Sequence, residues 1–178
     1  MSDEIKHECG LAYIRLRKPF SYYLQQRGSV TYGLNKLYLL MEKQHNRGQD
    51  GAGLATLKLN IEPGNPFLYR LRSNAQQPIA DLFYKIGLEI QELEKFQPEI
   101  TKHPGLMKGH LPFMGEILLG HLRYGTQGKN NIEFCHPFIK RNLVPAKNLA
   151  LAGNFNLVNT EELYQHINVT PGSFEKES

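Results

Sequence analysis

The longest regular pattern in the sequence is helical and spans residues 78–96. Apolar residues recur there at helical spacing, which predicts an amphipathic helix with one buried face. That face carries Ile79, Leu82, Phe83, Ile86, Ile90 and Leu93. Shorter apolar patterns lie on either side, in the order strand, helix, hairpin, long helix, strands, helix. This order predicts a mixed α+β domain in which most strands pair antiparallel.

The shorter elements are predicted from local patterns of the same kind. We expect strands at residues 9–17, 54–59, 66–72, 116–122, 134–140 and 148–152, and further helices at 33–44 and 159–167. The strands at 54–59 and 66–72 surround a turn at 62–65, which is typical of a hairpin. Residues 18–31 contain Gly, Ser and Tyr without a period, and residues 98–112 hold three prolines and two glycines. Both stretches are predicted to be loops.

Composition and charge disfavour several classes of function. The chain of 178 residues suffices for one domain with a sizeable core. Its net charge is +4, but the basic residues are dispersed and form no stripe for nucleic acid. Cys9 and Cys135 make no disulfide framework and suit a reducing cytoplasm, and no segment has the length of a membrane-spanning helix. His121 and His136 lack zinc-ligand spacing, so no metal site is expected.

Cys9 follows a short polar leader, residues 1–8, which has the character of neither a signal peptide nor a membrane anchor. If the chain were cut after Glu8, one residue would carry both a thiol and an α-amine. An amine with a pKa of roughly 7.7–8.0 can act as general base for its own thiol. While Glu8 remains attached, that nitrogen is an amide and cannot be a base. The alternative is a buried cysteine that opens a strand.

Three segments rich in glycine adjoin predicted strands, at residues 46–53, 120–128 and 152–159. Such places position backbone amides and short polar side chains against small molecules. Each also has a purely structural interpretation. Arg47 can belong to a helix stop, Arg123 can be a surface charge at a strand end, and Asn154 can be a turn residue.

Four motifs occur in a fixed order along the chain. They are Cys-Gly-Leu at 9–11, Gln-His-Asn-Arg-Gly-Gln-Asp-Gly-Ala-Gly at 44–53, Gly-His-Leu-Arg-Tyr-Gly-Thr at 120–126 and Gly-Asn-Phe-Asn-Leu-Val-Asn at 153–159. In this order they resemble the glutaminase domain of the class II glutamine amidotransferases, which are N-terminal-nucleophile hydrolases. The sequences of the second and third motifs are most similar to those of the amidophosphoribosyltransferases.

The resemblance implies a four-layer αββα fold with mostly antiparallel sheets, truncated at its C-terminus. It implies a propeptide at residues 1–8, an incomplete glutaminase domain at 9–178, and a synthase domain absent from this sequence. Ammonia from glutamine would pass to phosphoribosyl diphosphate in purine biosynthesis. The implied partners are L-glutamine, the C-terminal synthase domain and further copies in a homo-oligomer, without nucleic acid or membrane. No cofactor is implied, since Mg²⁺ belongs to the absent domain.

The resemblance also assigns roles to individual residues. Cys9 would attack the glutamine amide, while the Asn154 side chain and the Phe155 backbone N–H would stabilise the oxyanion. Arg123 would bind the substrate α-carboxylate. Thr126 and Arg47 are further candidates for substrate binding.

The sequence departs from the family at several places, among them Asn46, which is inserted or substituted in the second motif. Phe155 replaces a glycine, Gly153 a histidine and Gly125 a serine, and residues 98–112 form a longer connection. A backbone N–H survives the change at Phe155, although a positive φ there would be strained. The departures leave open a non-catalytic relative that senses glutamine, or the glutaminase domain of another class II synthase. An unrelated α+β binding module would make the four motifs a coincidence.

Overall fold

The computed structural model describes residues 8–125, 131–154 and 158–169 of the chain. The helices are α1 (Phe20–Arg27), α2 (Tyr32–Glu42), α3 (Pro78–Phe96), α4 (Pro104–His110) and α5 (Thr160–Val169). The strands are β1 (Gly10–Arg15), β2 (Gly51–Leu57), β3 (Leu68–Ser73), β4 (Ile117–Arg123), β5 (Phe138–Lys140) and β6 (Leu149–Leu151). The predicted α+β class is confirmed, and α3 has the predicted bounds. Within the described residues, no helix combines the length and the apolar character needed to cross a bilayer.

Four strands form an antiparallel sheet in the order β1-β4-β2-β3. The inner strand β4 has Leu122 opposite Gly10 of β1 on one side and opposite Ala52 of β2 on the other. The predicted hairpin joins β2 and β3, with Leu54 opposite Leu71. Strands β5 and β6 form a separate antiparallel pair. The prediction of antiparallel pairing is therefore confirmed.

The hydrophobic core lies on the face of the four-stranded sheet that packs against α2 and α3. Leu37 of α2, Leu82 of α3 and Leu118 of β4 are almost fully buried there. Burying a leucine side chain contributes roughly 1.5–3 kcal/mol to stability. Gly120 allows α2 to approach β4, because an added Cβ would lie only 2.7 Å from Met41 Sδ.

The opposite face of the sheet is covered in part by the segment that precedes β5. Gly51 and Gly53 of β2 place no side chain on this face, and the chain packs directly on them at Cys135 and His136. A Cβ at Gly51 would lie 2.5 Å from Cys135 Sγ, and one at Gly53 would overlap with the carbonyl oxygen of His136. The two glycines thus bring this segment onto the sheet near Arg123, where β4 ends.

Two stretches predicted to be loops contain helices. Helix α1 buries only Phe20, so its apolar periodicity is too weak to be recognised. It ends at Gly28, whose φ of 67° suits glycine and whose N–H donates to the carbonyl oxygen of Leu24. Helix α4 begins with Pro104, at a position where the missing N–H costs nothing, and buries Met107. A proline and a glycine interpreted as loop formers are therefore helix boundaries.

Candidate active site

Three of the four sequence motifs meet at one end of the four-stranded sheet. Gly10 lies opposite Leu122, so Cys9, one residue earlier, approaches Arg123 at the end of β4. On the other side of β4, Gly51 at the start of β2 lies opposite the same Arg123. Because cross-strand partners share a face, these residues line the face on which the segment before β5 packs.

Cys9 lies just before β1 with its side chain partly buried. The backbone N–H of Tyr124 donates to Cys9 Sγ at 3.5 Å. This contact fixes the direction of the Cys9 side chain relative to the end of β4. The arrangement suits a nucleophile that is partly accessible and oriented by the main chain after β4.

Arg123 is only 5% exposed, although it stands at a strand end. Its guanidinium carbon lies 5.7 Å from the centre of the Phe134 ring, within the range of a cation–π contact. Asp50 binds the main chain at Arg123 and just after it: the Asp50 N–H donates to the Arg123 carbonyl oxygen at 3.1 Å, and Asp50 Oδ2 accepts from the Gly125 N–H at 2.7 Å. Of the two interpretations of Arg123 that the sequence left open, the surface charge at a strand end is therefore wrong.

Gly125 lies at the point where Arg123 and Asp50 converge. An added Cβ at Gly125 would lie 3.3 Å from both Arg123 Nη1 and Asp50 Oδ2. Asp50 lies within the second sequence motif, but sequence reasoning did not select it as a site residue. Its contact with Gly125, which is remote along the chain, is what identifies it.

Arg47 is placed differently from Arg123. It lies in a short 3₁₀ helix at His45–Arg47, and its Nη1 is 3.6 Å from Glu8 Oε2, with both side chains more than half exposed. An exposed pair of this kind contributes about 0–1 kcal/mol. Its segment nevertheless packs closely on the sheet, because a Cβ at Gly48 would lie 2.7 Å from the carbonyl carbon of Arg123. The ion pair with Glu8 places Arg47 beside the residue that precedes Cys9.

Asn154 follows β6 with its side chain exposed, and the preceding residue, Gly153, is bound by two histidines. His121 Nε2 lies 3.3 Å from the Gly153 carbonyl oxygen, and the Gly153 N–H donates to His136 Nδ1 at 3.3 Å. His121 stands two residues before Arg123 on β4, so the two side chains share one face of the sheet. The fourth motif therefore lies against the face of β4 that carries Arg123, where the other motifs also meet.

Two of the predicted site residues, Phe155 and Thr126, lie outside the described residues. Cys9, Arg123 and Asn154 are brought to one region of the sheet, and Arg47 lies beside Glu8. Sequence reasoning missed Asp50 and considered the histidines only as unsuitable metal ligands. Across residues 8–125, 131–154 and 158–169, no group of three or more His, Cys, Asp or Glu residues has the arrangement of a metal site.

Burial sets the protonation of the two histidines and of Cys135. Burial, with smaller contributions from His136 and Arg123, lowers the pKa of His121 from 6.5 to about 4, against an opposing effect of the Gly153 carbonyl. Burial likewise lowers the pKa of His136 and raises the pKa of the Cys135 thiol. At neutral pH the imidazole of His121 is therefore uncharged, and Cys135 is an inert thiol.

Two cavities flank the sheet at different ends. One of about 690 Å³ is lined by residues of α1, α4 and the far end of β1, including Arg15, Lys18 and Lys108. It is remote from Cys9, because Arg15 ends the strand that Cys9 precedes. A second cavity of about 450 Å³ is lined by Gly48, Gln49 and residues at the start of α3. Only the second adjoins a motif of the candidate site.

Comparison with known proteins agrees with the motifs. No protein-family model matches the chain. A curated protein from Methanocaldococcus jannaschii, named amidophosphoribosyltransferase, is 28% identical over 148 residues, which are 83% of this chain and 24% of that protein. The resemblance predicted from the four motifs is confirmed by this relative.

Two solved structures are also similar to the chain. One is a glutamine phosphoribosylpyrophosphate amidotransferase from B. subtilis complexed with ADP and GMP, with 24% identity and a TM-score of 0.47 over 96% of this chain and 27% of that one. The other is described as the allosteric regulatory enzyme of purine biosynthesis, with 24% identity and a TM-score of 0.47 over 94% of this chain and 26% of that one. The chain spans about a quarter of the length of the proteins it matches.

Proposed function

From the relationship of this chain to amidophosphoribosyltransferase, we propose that it is the glutaminase part of a glutamine amidotransferase. The observation that supports this most directly is the meeting of Cys9 with the end of β4, where Tyr124 donates its N–H to Cys9 Sγ beside the buried Arg123. A nucleophilic sulfur and a guanidinium on one face of a sheet suit a substrate with an amide at one end and a carboxylate at the other.

The proposed reaction is glutamine plus water to glutamate plus ammonia. The Cys9 thiolate attacks the side-chain amide carbon and forms a C–S bond, and the tetrahedral intermediate breaks its C–N bond and releases ammonia. The Cys9 α-amine, which must first be freed by cleavage after Glu8, takes the proton of the thiol and passes it to the leaving nitrogen. Water then attacks the γ-glutamyl thioester, the C–S bond breaks, and a proton of that water returns through the α-amine to the sulfur, which gives glutamate and regenerates the thiol.

Arg123 is proposed to bind the glutamine α-carboxylate, since its planar fork of donors matches two carboxylate oxygens. Its burial supports this role, because charge–charge interactions strengthen where water is excluded. Asn154 and the Phe155 N–H are proposed as oxyanion donors, each worth about 2.7–4 kcal/mol of barrier in comparable sites. Thr126 and Arg47 remain proposals for substrate contact.

The remaining features of the proposal concern the whole protein. Residues 1–8 are proposed to be a propeptide, and residues 9–178 to belong to a four-layer αββα fold whose further layers and synthase domain lie in the complete protein. Phosphoribosyl diphosphate is proposed as the ammonia acceptor. The free thiols Cys9 and Cys135 favour a reducing compartment, and we propose the cytoplasm.

The proposal is tested by the mass and the activity of the protein purified from its own host. We expect a chain that begins at Cys9 and releases ammonia from glutamine. The Cys9→Ser variant should lose nearly all turnover, whereas the matched Cys135→Ala variant should keep it, because the Cys135 thiol is fully buried against Gly51 and has no access to a substrate. Full activity of Cys9→Ser would remove Cys9 from the mechanism.

A second candidate is a non-catalytic relative that binds glutamine without hydrolysing it. The replacement of the family's glycine by Phe155 favours it. Three measurements distinguish this candidate from the glutaminase. The purified chain should still carry Glu8, it should bind glutamine, and it should form no adduct at Cys9 with an electrophilic glutamine analogue.

A further inference from the structure

The peptide unit around Gly153 is bound on both sides by imidazoles from two other parts of the chain. His121 comes from β4, and His136 from the segment that packs on Gly53. A carbonyl oxygen can only accept, so His121 Nε2 must carry the hydrogen that it donates to Gly153, which leaves its Nδ1 unprotonated. His136 Nδ1 accepts from the Gly153 N–H and must be unprotonated too. The hydrogen-bond pattern therefore fixes the tautomer of His121 and the unprotonated state of His136 Nδ1.

Burying the His121 imidazole lowers the stability of the folded state, so filling space does not explain its presence. His121 is 2% exposed, and among the described residues its Nδ1 has no hydrogen-bond partner. A buried polar atom without a partner costs about 1–3 kcal/mol. A leucine would fill a similar volume without that cost, so the imidazole is explained by the bond that its Nε2 makes.

The two histidines also contact one another, which ties their positions together. Their ring centres lie 4.5 Å apart, and the ring of Phe138 lies 4.3 Å from that of His136. His121 stands on a strand that is paired on both sides, opposite Leu11 and Gly53. The carbonyl and the N–H of Gly153 are therefore held relative to an inner strand of the sheet.

We infer that His121 and His136 are positioning residues, which place Asn154 against the sheet face that carries Arg123 and Cys9. They bind the backbone of Gly153, the residue immediately before Asn154. The inference rests on the proposed function, because Asn154 needs a precise position only if it acts on the substrate. A catalytic group displaced by about 1 Å can lose about a hundredfold in rate.

The test compares His121→Leu with His121→Gln in the purified protein, and uses His110→Leu as the control. Glutamine at 121 restores an N–H donor for the Gly153 carbonyl, whereas leucine only fills the volume. His110 is an exposed residue at the end of α4, away from this cluster. We expect kcat for glutamine hydrolysis to fall about a hundredfold in His121→Leu, with KM changed by less than about threefold, and to recover to within about tenfold in His121→Gln. A normal kcat in His121→Leu, or an equal loss in both variants, would overturn the inference.

A second measurement does not depend on activity. The backbone amide of Gly153 should exchange with solvent about tenfold faster or more in His136→Leu, because its acceptor is gone, and at the normal rate in His110→Leu. Unchanged exchange in His136→Leu would refute the contact. If the unaltered protein does not hydrolyse glutamine, the proposed function fails. Amide exchange at Gly153 then decides by itself whether the histidines hold this peptide.

Discussion

Mild acid should destabilise this protein through His121, and the size of the effect follows from its burial. The pKa of His121 is about 4 in the folded protein and about 6.5 in an unfolded chain. Between these values the unfolded state binds more protons, so the free energy of unfolding falls as pH falls. This contribution is complete above about pH 6.5 and is lost as the pH approaches 4. Integrated from pH 7 to pH 5, it amounts to about 2 kcal/mol.

Burial sets the sign of this effect, and the groups that face His121 modify its size. His136 and the guanidinium of Arg123 both disfavour a positive imidazole, and the Gly153 carbonyl opposes them only in part. Burial is the largest cause, and the side chain is 2% exposed, so solvent does little to screen the new charge.

The assay is urea unfolding of the unaltered protein and of His121→Gln at pH 7 and pH 5. Glutamine does not titrate, so the stability difference between the two proteins should shrink by about 2 kcal/mol at pH 5. The control His110→Gln should follow the unaltered protein at both pH values. A difference that is the same at pH 7 and pH 5 would show that His121 does not take up its proton on unfolding, and the reasoning would be wrong.

Three further outcomes are expected. Arg123→Lys should raise KM for glutamine about 10- to 100-fold with a smaller effect on kcat, because a charge-assisted bidentate contact is worth about 1.5–3 kcal/mol; steady-state kinetics with an unchanged KM would contradict this. Gly53→Ala should lower the free energy of unfolding by about 1–3 kcal/mol, because the new methyl group would overlap with the carbonyl of His136. Gly87→Ala, in open space within α3, should instead raise the free energy of unfolding by about 0.5–1 kcal/mol. Equal effects of the two variants in urea unfolding would refute the packing argument. Glu116→Gln should lower the free energy of unfolding by about 1–3 kcal/mol, because it leaves the largely buried Lys108 ammonium without its carboxylate partner. A change below about 0.5 kcal/mol in urea unfolding would show that this ion pair contributes little to stability.

Elements in which apolar residues recur at a regular spacing were predicted correctly from the sequence. Helix α3 has its predicted bounds, and the hairpin of β2 and β3 follows from two apolar runs around a turn. Helices α1 and α4 were predicted to be loops, because α1 buries only Phe20 and α4 begins with a proline. Local periodicity reports burial on one face, and these short helices bury too little to show it.

The candidate site was predictable as a set of motifs but not as a geometry. The motifs selected Cys9, Arg123 and Asn154, while the order β1-β4-β2-β3 that brings the first two together depends on pairing between distant segments. The His121 and His136 contacts with Gly153 were beyond prediction for the same reason, since they join a residue after β6 to β4 and to the segment before β5. Asp50 was missed because its partner, the Gly125 N–H, is equally remote in sequence.

The position of β4 between β1 and β2 has a consequence for the order of folding. The strand that follows Cys9 pairs with a strand that begins only at Ile117, whereas β2 and β3 can pair as soon as their hairpin is synthesised. Contacts between such distant segments form late, because loop closure must precede them. On the ribosome, the Cys9 thiol therefore stays exposed and unoriented until β4 has emerged. A nascent chain that stalls before Ile117 would keep this thiol accessible to solvent, without the N–H of Tyr124 that orients it in the folded protein.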